Sequence, residues 1–332
     1  AELCCQNGKD GPDFEPTYEA PPPSMGGYKV AGSDDCQDDC AVALVVGAWP
    51  SRPSREARIA DVASQLGDEQ RHWATYFSGE DSELRKMTPV QPESMEGLRR
   101  THVFATGATY DGQWLGHQRH GFGTQLWADG VWYKGHWKLN CASGRGIFLH
   151  RNGDCYVGDW RHNQAHGLGV YRHANGGSYE GGFFDDLPDG HGSQHFPDKS
   201  SYDGHFTEGQ KHGVGMYAWP DGTTLRGQWL QNEIQGLGVW RAPDGRRYRG
   251  SWEDGAMHGC GKYNWPNGQQ YEGQYEMDLK EGFGIFDFAN GSSYTGFWQS
   301  GNMEGHGMIE QEGVPRPLVG HFEKGEMVKL DE

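Results

Sequence analysis

From Tyr110 onward the chain repeats every 23 residues without an insertion, with units starting at Tyr110, Tyr133, Tyr156, Tyr179, Tyr202, Leu225, Tyr248, Tyr271 and Tyr294. A fixed short period means that each unit is one small supersecondary element whose core forms only by stacking on its neighbours. Within every unit the third residue is Gly and the fifth is Trp, Phe or Tyr, as in Tyr110-Asp111-Gly112-Gln113-Trp114 and Tyr248-Arg249-Gly250-Ser251-Trp252. The twelfth and fourteenth residues are Gly in all nine units, from Gly121 and Gly123 to Gly305 and Gly307. This register accounts for an otherwise odd composition: 53 Gly beside 13 Trp, 15 Tyr and 14 Phe in 332 residues. So many glycines in a fixed register argue against helical bundles and doubly wound α/β folds, in which Gly costs about 1 kcal/mol per helical site.

Most units also carry a turn signal near their end: Asp129-Gly130, Asn152-Gly153, Asp221-Gly222, Asp244-Gly245, Asn267-Gly268 and Asn290-Gly291. Asn-Gly and Asp-Gly supply the positive φ of a tight hairpin, so two strands are expected to meet there. Alternation in a strand then puts Tyr and Trp of Tyr-x-Gly-x-Trp on one face, with the intervening Gly keeping the backbone open to the rings. Together Y-x-G-x-W, G-x-G and D/N-G strongly resemble the MORN repeat family over about residues 108–326. The resemblance implies an all-β fold: an elongated single-layer antiparallel sheet of stacked β-hairpins with a groove. Eighteen strands at about 4.8 Å spacing give a body on the order of 85 Å long before twist. Departures are Leu225 for the opening aromatic, Lys199 for the turn Gly of unit 4, and a ninth unit that loses its register around Gln311 to Pro317. Leu318-Val319-Gly320-His321-Phe322 reads as half a unit displaced by one residue, a cap for the last edge.

The expected organisation is an acidic, Pro-rich and disordered 1–52, a short helical segment over 53–105, the array over 106–326, and a tail over 327–332. Ala41 to Trp49 is a candidate docked strand, and Ser54 caps a predicted helix with Ile59, Val62, Ala63 and Leu66 on one side. A second short helix from Asp68 puts Trp73, Tyr76 and Phe77 together, and the pair is expected to cover the N-terminal edge of the sheet, with a partner-docking hairpin as the alternative.

Catalytic motifs are missing from the sequence: it has no G-x-S-x-G, no phosphate loop and no H-E-x-x-H, and its recurring G-x-G opens no helix. Enzymes of the family carry an appended kinase or methyltransferase domain, and neither the residues before the array nor those after Gly325 resemble one, so a non-catalytic protein without cofactor or metal is expected. The seven cysteines include no C-x-x-C pair. Cys4 and Cys5 are lipidation candidates, weighed against inert thiols, and Cys36-x-x-x-Cys40 is a weak metal motif. His120, His166, His212 and His258 recur in alternate units, about 19 Å apart at strand spacing, too far to share a metal. They read as turn-flanking polar residues, with a pH-sensitive surface as the alternative.

Two functional readings stay open. One is a scaffold that binds protein partners along an aromatic-lined groove, with Tyr110, Trp114, Trp137, Tyr156, Trp160, Tyr202, Trp229, Tyr248, Trp252, Tyr271 and Trp298 as binding residues. The other is a membrane-tethering module for phosphoinositide or phosphatidic acid, or a regulatory region like that of the phosphatidylinositol phosphate kinases. Net charge −17, with 19 basic and 28 acidic residues over 106–332, favours protein partners over membrane and argues against nucleic acid. A homodimer through an exposed end hairpin is a further expectation. The absence of a secretory signal or a long apolar run, and the resemblance to MORN-only scaffolds, imply a cytoplasmic setting, in association with cytoskeleton, cilium or membrane.

Overall fold

The computed structural model describes residues 73–87 and 99–331, so expectations for the acidic N-terminal region, the Ser54 helix, the 41–49 strand, Cys4, Cys5, Cys36 and Cys40 lie outside the described residues. Two short helices, α1 (Trp73–Ser78) and α2 (Asp81–Leu84), precede a sheet of 21 strands. Strand β1 spans Arg99–Val103. The nine repeats then supply β2–β19, from Thr109–Leu115 (β2) and Gln118–Leu126 (β3) to Ser293–Gln299 (β18) and Asn302–Glu310 (β19). Strands β20 (Leu318–Glu323) and β21 (Glu326–Leu330) close the chain. Every strand pairs antiparallel with its sequence neighbours, giving one single-layer meander. The expected all-β stack of hairpins is therefore what forms.

Three boundaries differ from expectation. Among the described residues the edge of the first repeat is covered by strand β1. The α1 helix lies instead on the aromatic face, where Phe77 meets Trp127, Tyr133, Trp137, Phe148 and Trp160 at 5.5–5.8 Å. At the other end the segment expected as a tail contributes β21, so the cap is a full hairpin.

The two ends of each hairpin use different turn chemistry. At the Asn-Gly and Asp-Gly sites only Gly has positive φ, as at Gly153 (+92°), while the preceding carboxyl or amide oxygen accepts the N–H two residues on, as Asn152 Oδ1 does from Asp154 (2.9 Å). Asp198 makes the same bond to the Ser200 N–H (2.9 Å), which lets Lys199 take the glycine place at φ +73°. The two-residue turns with both φ positive lie at the opposite end: Leu139-Asn140, His162-Asn163, Asp185-Asp186 and their equivalents. Their second residue staples neighbouring units. Asn140, Asn163, Asp186, Asn232 and Asp278 each accept the N–H of the residue 21 positions earlier, at 2.6–2.9 Å.

The three glycines of a unit do separate jobs. The twelfth-position Gly sits in a bulge at positive φ, for example Gly121 (+67°) where the β2–β3 register shifts. The third- and fourteenth-position glycines face each other under the tyrosine ring. A Cβ on Gly112 would stand 2.5 Å from both the Tyr110 hydroxyl and the Gly123 Cα. With that room each Tyr lies flat and donates to the carbonyl three residues on, as Tyr110 does to Gln113 (2.9 Å).

Candidate functional site

The Tyr rings form an edge-to-face ladder along the array. Tyr110 packs against Trp114 of its own unit (5.0 Å) and Trp137 of the next (5.4 Å), and the pattern runs to Tyr294 between Trp298 and Phe322. Its one break is unit 6, where Ile234 packs over Gly227 in the space that Leu225 leaves, its Cδ1 2.7 Å from where a Gly227 Cβ would stand. Several tryptophans also donate their ring N–H to a glycine carbonyl of the preceding unit, as Trp137 does to Gly123 (3.2 Å) and Trp229 to Gly215 (3.2 Å).

This ladder takes in every residue of the expected binding set. Tyr110, Trp114, Trp137, Tyr156, Trp160, Tyr202, Trp229, Tyr248, Trp252, Tyr271 and Trp298 are all buried, none more than 9% exposed. They are the core of the sheet, because a flat Tyr ring shields its own glycines and is itself walled by two neighbours. A more accessible layer lies above them: Tyr217, Trp219, Trp240, Tyr263, Trp265 and Phe288, half-buried or partly exposed and placed sixteen or eighteen residues into their units.

That upper layer divides the face into cages walled largely by rings, and the tenth residue of a unit can stand in one. In unit 5 it is Lys211, whose Nζ lies 5.2–5.9 Å from the rings of Phe196, Tyr202, Tyr217 and Trp229. In unit 8 it is Lys280, 4.6–5.5 Å from Trp265, Tyr271, Phe286 and Trp298, which stand at the same four repeat positions. Burial among rings pushes both ammonium groups down, Lys280 to about 8. Ile234, Met257 and Met303 fill other cages with apolar side chains. In unit 2 the tenth residue is Ala142, too short to fill its cage, and the space is taken by Phe77 from α1.

Unit 1 shows the cage with a cation and a lid. Arg119, fully buried, stacks on Trp137 (4.5 Å) and donates to Gln125 Oε1 (3.1 Å) and to the carbonyls of Phe77 and Asn140 (3.3 Å each). Glu80, between α1 and α2, reaches its Nη1 at 3.7 Å. Desolvation raises the Glu80 carboxyl and lowers the Arg119 guanidinium, each offset by attraction to the other. The segment is tied down further by Glu83, which accepts from the Ala105 N–H (2.7 Å) and meets His102 at 3.1 Å.

The alternating histidines have a local role. The eleventh residue of each unit faces the next two-residue turn, and its side chain can accept the first N–H there: His120 from Leu139 (3.5 Å), Gln235 from Asp254 (3.2 Å), Glu281 from Ser300 (2.7 Å). His166 instead faces Asp185 of that turn at 3.6 Å, and His258 meets Glu253 at 3.3 Å. Among the described residues no group of three or more His, Cys, Asp or Glu is placed to hold a metal ion.

A family model described as the MORN repeat matches residues 110–131, 133–155, 156–178, 179–201, 202–224, 226–246, 248–270, 271–293 and 294–310. No curated protein sequence matches the chain. Among solved structures, the chain is similar to the TCP10 domain of Danio rerio CPAP, with 15% identity over 59% of this chain and 92% of that one (TM-score 0.35). It is also similar to the Drosophila melanogaster SAS-4 TCP domain in complex with a proline-rich motif of Ana2, with 17% identity over 54% and 90% (TM-score 0.31).

Proposed function

The chain belongs to the MORN-repeat family, and on that premise we propose that it is a non-catalytic scaffold whose aromatic face holds segments of protein partners. The observation that supports this most is Phe77: an apolar side chain presented by a short helix and seated in the unit 2 cage, among five rings at 5.5–5.8 Å. The face thus binds helix-borne knobs within its own chain, and the same chemistry would serve a partner's. Burying one aromatic side chain removes about 150–250 Å² from water, worth several kcal/mol at roughly 25 cal/mol per Å². Cytoskeletal, ciliary or membrane-associated assemblies in the cytoplasm are the proposed setting, supported only by the resemblance to MORN-only scaffolds.

The test is a pull-down from native extract with the full chain and with Trp219→Ala/Trp265→Ala, a pair in the upper layer rather than the Tyr ladder. A stoichiometric partner should be recovered and then lost in the variant, whose melting should stay near that of the parent. Recovery of nothing, or undiminished recovery by the variant, counts against the scaffold. The runner-up, a module for acidic phospholipid, predicts sedimentation with phosphatidic acid or phosphoinositide vesicles at physiological salt.

A further inference from the structure

Because the cages recur at fixed repeat positions, the occupied one in unit 1 is a template for the others. There a buried cation at the tenth position receives a carboxylate from a short helical segment lying on the face: Arg119 Nη1 to Glu80 Oε2, 3.7 Å. Lys211 and Lys280 occupy the same position four and seven repeats later. Both are walled by rings of the same four positions, and neither has a carboxylate within ion-pair distance among the described residues. Their isolation is notable in an array with more acidic than basic residues, where Lys262, for example, pairs with Glu272 at 3.0 Å. A half-buried ammonium that has lost water and gained only ring faces lacks part of its solvation, and a carboxylate restores it.

We propose that Lys211 and Lys280 are the anchoring cations of a docking surface for an acidic segment of a partner protein, each receiving a carboxylate as Arg119 receives Glu80. The proposal rests on the scaffold reading and names the chemistry of its occupant. A peptide carboxylate suits these sites because its apolar stem can pass between rings and deliver one charge to a recessed ammonium. An anionic membrane would bring many charges at once against the net negative array, whereas a segment need bring only one carboxylate to each ammonium. The two sites lie six strand spacings apart, roughly 29 Å. One segment engages both if it spans about nine extended residues or about 19 helical ones.

The experiment uses the full chain and a fluorescein-labelled synthetic peptide copying residues 73–87, which carries Glu80, Asp81 and Glu83. Fluorescence anisotropy is followed for the parent and for Lys211→Met/Lys280→Met. Methionine already stands at this repeat position in units 7 and 9, so the double variant is expected to fold, and its urea unfolding midpoint verifies that. Any exchange with the chain's own lid at Arg119 is common to both proteins, so the difference reports on the lysines. The expected result is at least tenfold weaker binding to the double variant, and an equal loss when the peptide's acids are replaced by amides. Equal affinity for both proteins overturns the proposal, as does a peptide that binds neither at 1 mM. Phosphatidylserine vesicles that sediment the parent but not the variant, with no peptide binding, overturn it in favour of a lipid surface. If Trp219→Ala/Trp265→Ala abolishes peptide binding while the methionine variant keeps it, the scaffold reading stands and the lysine anchors fall.

Discussion

Asp186 is an inter-unit staple whose charge the fold opposes, and replacing it with Asn should stabilise the protein in a pH-dependent way. It is the second residue of its turn, at φ +73°, and its Oδ1 accepts the Ala165 N–H at 2.7 Å. Asn makes the same bond at 140, 163 and 232, so Asp186→Asn keeps the geometry, and Asn tolerates a left-handed backbone well. Desolvation, helped by neighbouring Asp185 and opposed by the bonds from Ala165 and Gln164, pushes the carboxyl up to about 6. The folded state therefore holds this proton more tightly than the unfolded chain, in which Asp titrates near 3.9. Stability is fully present below about pH 4 and is lost as pH rises through 6. A displacement from 3.9 to about 6 corresponds to about 3 kcal/mol at full effect; solvent screens a half-buried group, so the expected gain is about 1–2 kcal/mol. Urea unfolding followed by tryptophan fluorescence at pH 7.5 and pH 4.0 measures it. The variant should be more stable at pH 7.5 and nearly equal at pH 4.0. A gain of the same size at both pH values, or a loss at pH 7.5, would refute the desolvation argument.

Three other perturbations have distinct signatures. Gly112→Ala forces the Tyr110 ring off its glycine pair and should cost about 3 kcal/mol or more, whereas Gly130→Ala, with nothing within 4 Å but φ +90°, should cost about 1–2 kcal/mol; equal melting shifts for the two would contradict the stacked-ring account. Lys199→Gly relieves the left-handed backbone and should raise stability by about 0.5–1 kcal/mol in the same assay, and a lower midpoint would show the Asp198 turn to be unstrained. Glu80→Ala leaves Arg119 buried without its carboxylate, a change worth about 3–5 kcal/mol, and should release the lid, read as faster tryptic cleavage at Arg85 and Lys86. Unchanged cleavage would mean that Phe77 and the Glu83 contacts hold the segment without the Glu80–Arg119 pair.

The strands were legible because each repeat residue serves one geometric need. Tyr, Gly and Trp alternate along a strand, and a ring can lie down only over Gly, so the 23-residue register carries the sheet. The turns were half legible: Asn-Gly and Asp-Gly mark one end, but the two-residue turns hide behind Leu139, His162 and Met277 in the first place. Their signal was the residue after, Asn, Asp or Gly in units 2 to 9, with His117 the departure in unit 1. Strand β1 escaped notice because its half-unit has Leu98 and Arg100 at the two glycine positions, although Gly107 keeps the turn register. The burial of the expected binding rings was not legible for a physical reason. Alternation shows which face a ring takes, not that it lies flat beneath a second row, so the accessible layer and the tenth-position residue emerge only when neighbouring units stack.

In a linear array the weakest junction between units decides where opening begins, and here that junction is between units 6 and 7. Three contacts made elsewhere are missing there. Leu225 breaks the ring ladder, so Trp252 receives no edge contact from the preceding unit such as Trp229 receives from Tyr202 (5.3 Å). The Trp252 ring N–H has no acceptor among the described residues, where Trp229 donates to Gly215 (3.2 Å). The second turn residue is Gly255, which has no side chain to accept the Ile234 N–H as Asn232 accepts that of Lys211 (2.9 Å). An edge-to-face pair is worth about 0.5–1.5 kcal/mol and each hydrogen bond about 1 kcal/mol, so the deficit is about 2–4 kcal/mol. The junction should then open roughly 30- to 1000-fold more often than its neighbours. Native-state hydrogen exchange should show amides across the Glu233–Arg241 and Arg247–Glu253 strands exchanging fastest among the inner repeats. The double change Leu225→Tyr/Ile234→Ala, which rebuilds the unit found at Tyr133 and Ala142, should slow that exchange. Uniform protection along the array, or a double variant that exchanges as fast as the parent, would show that backbone pairing rather than the ring ladder sets the coupling.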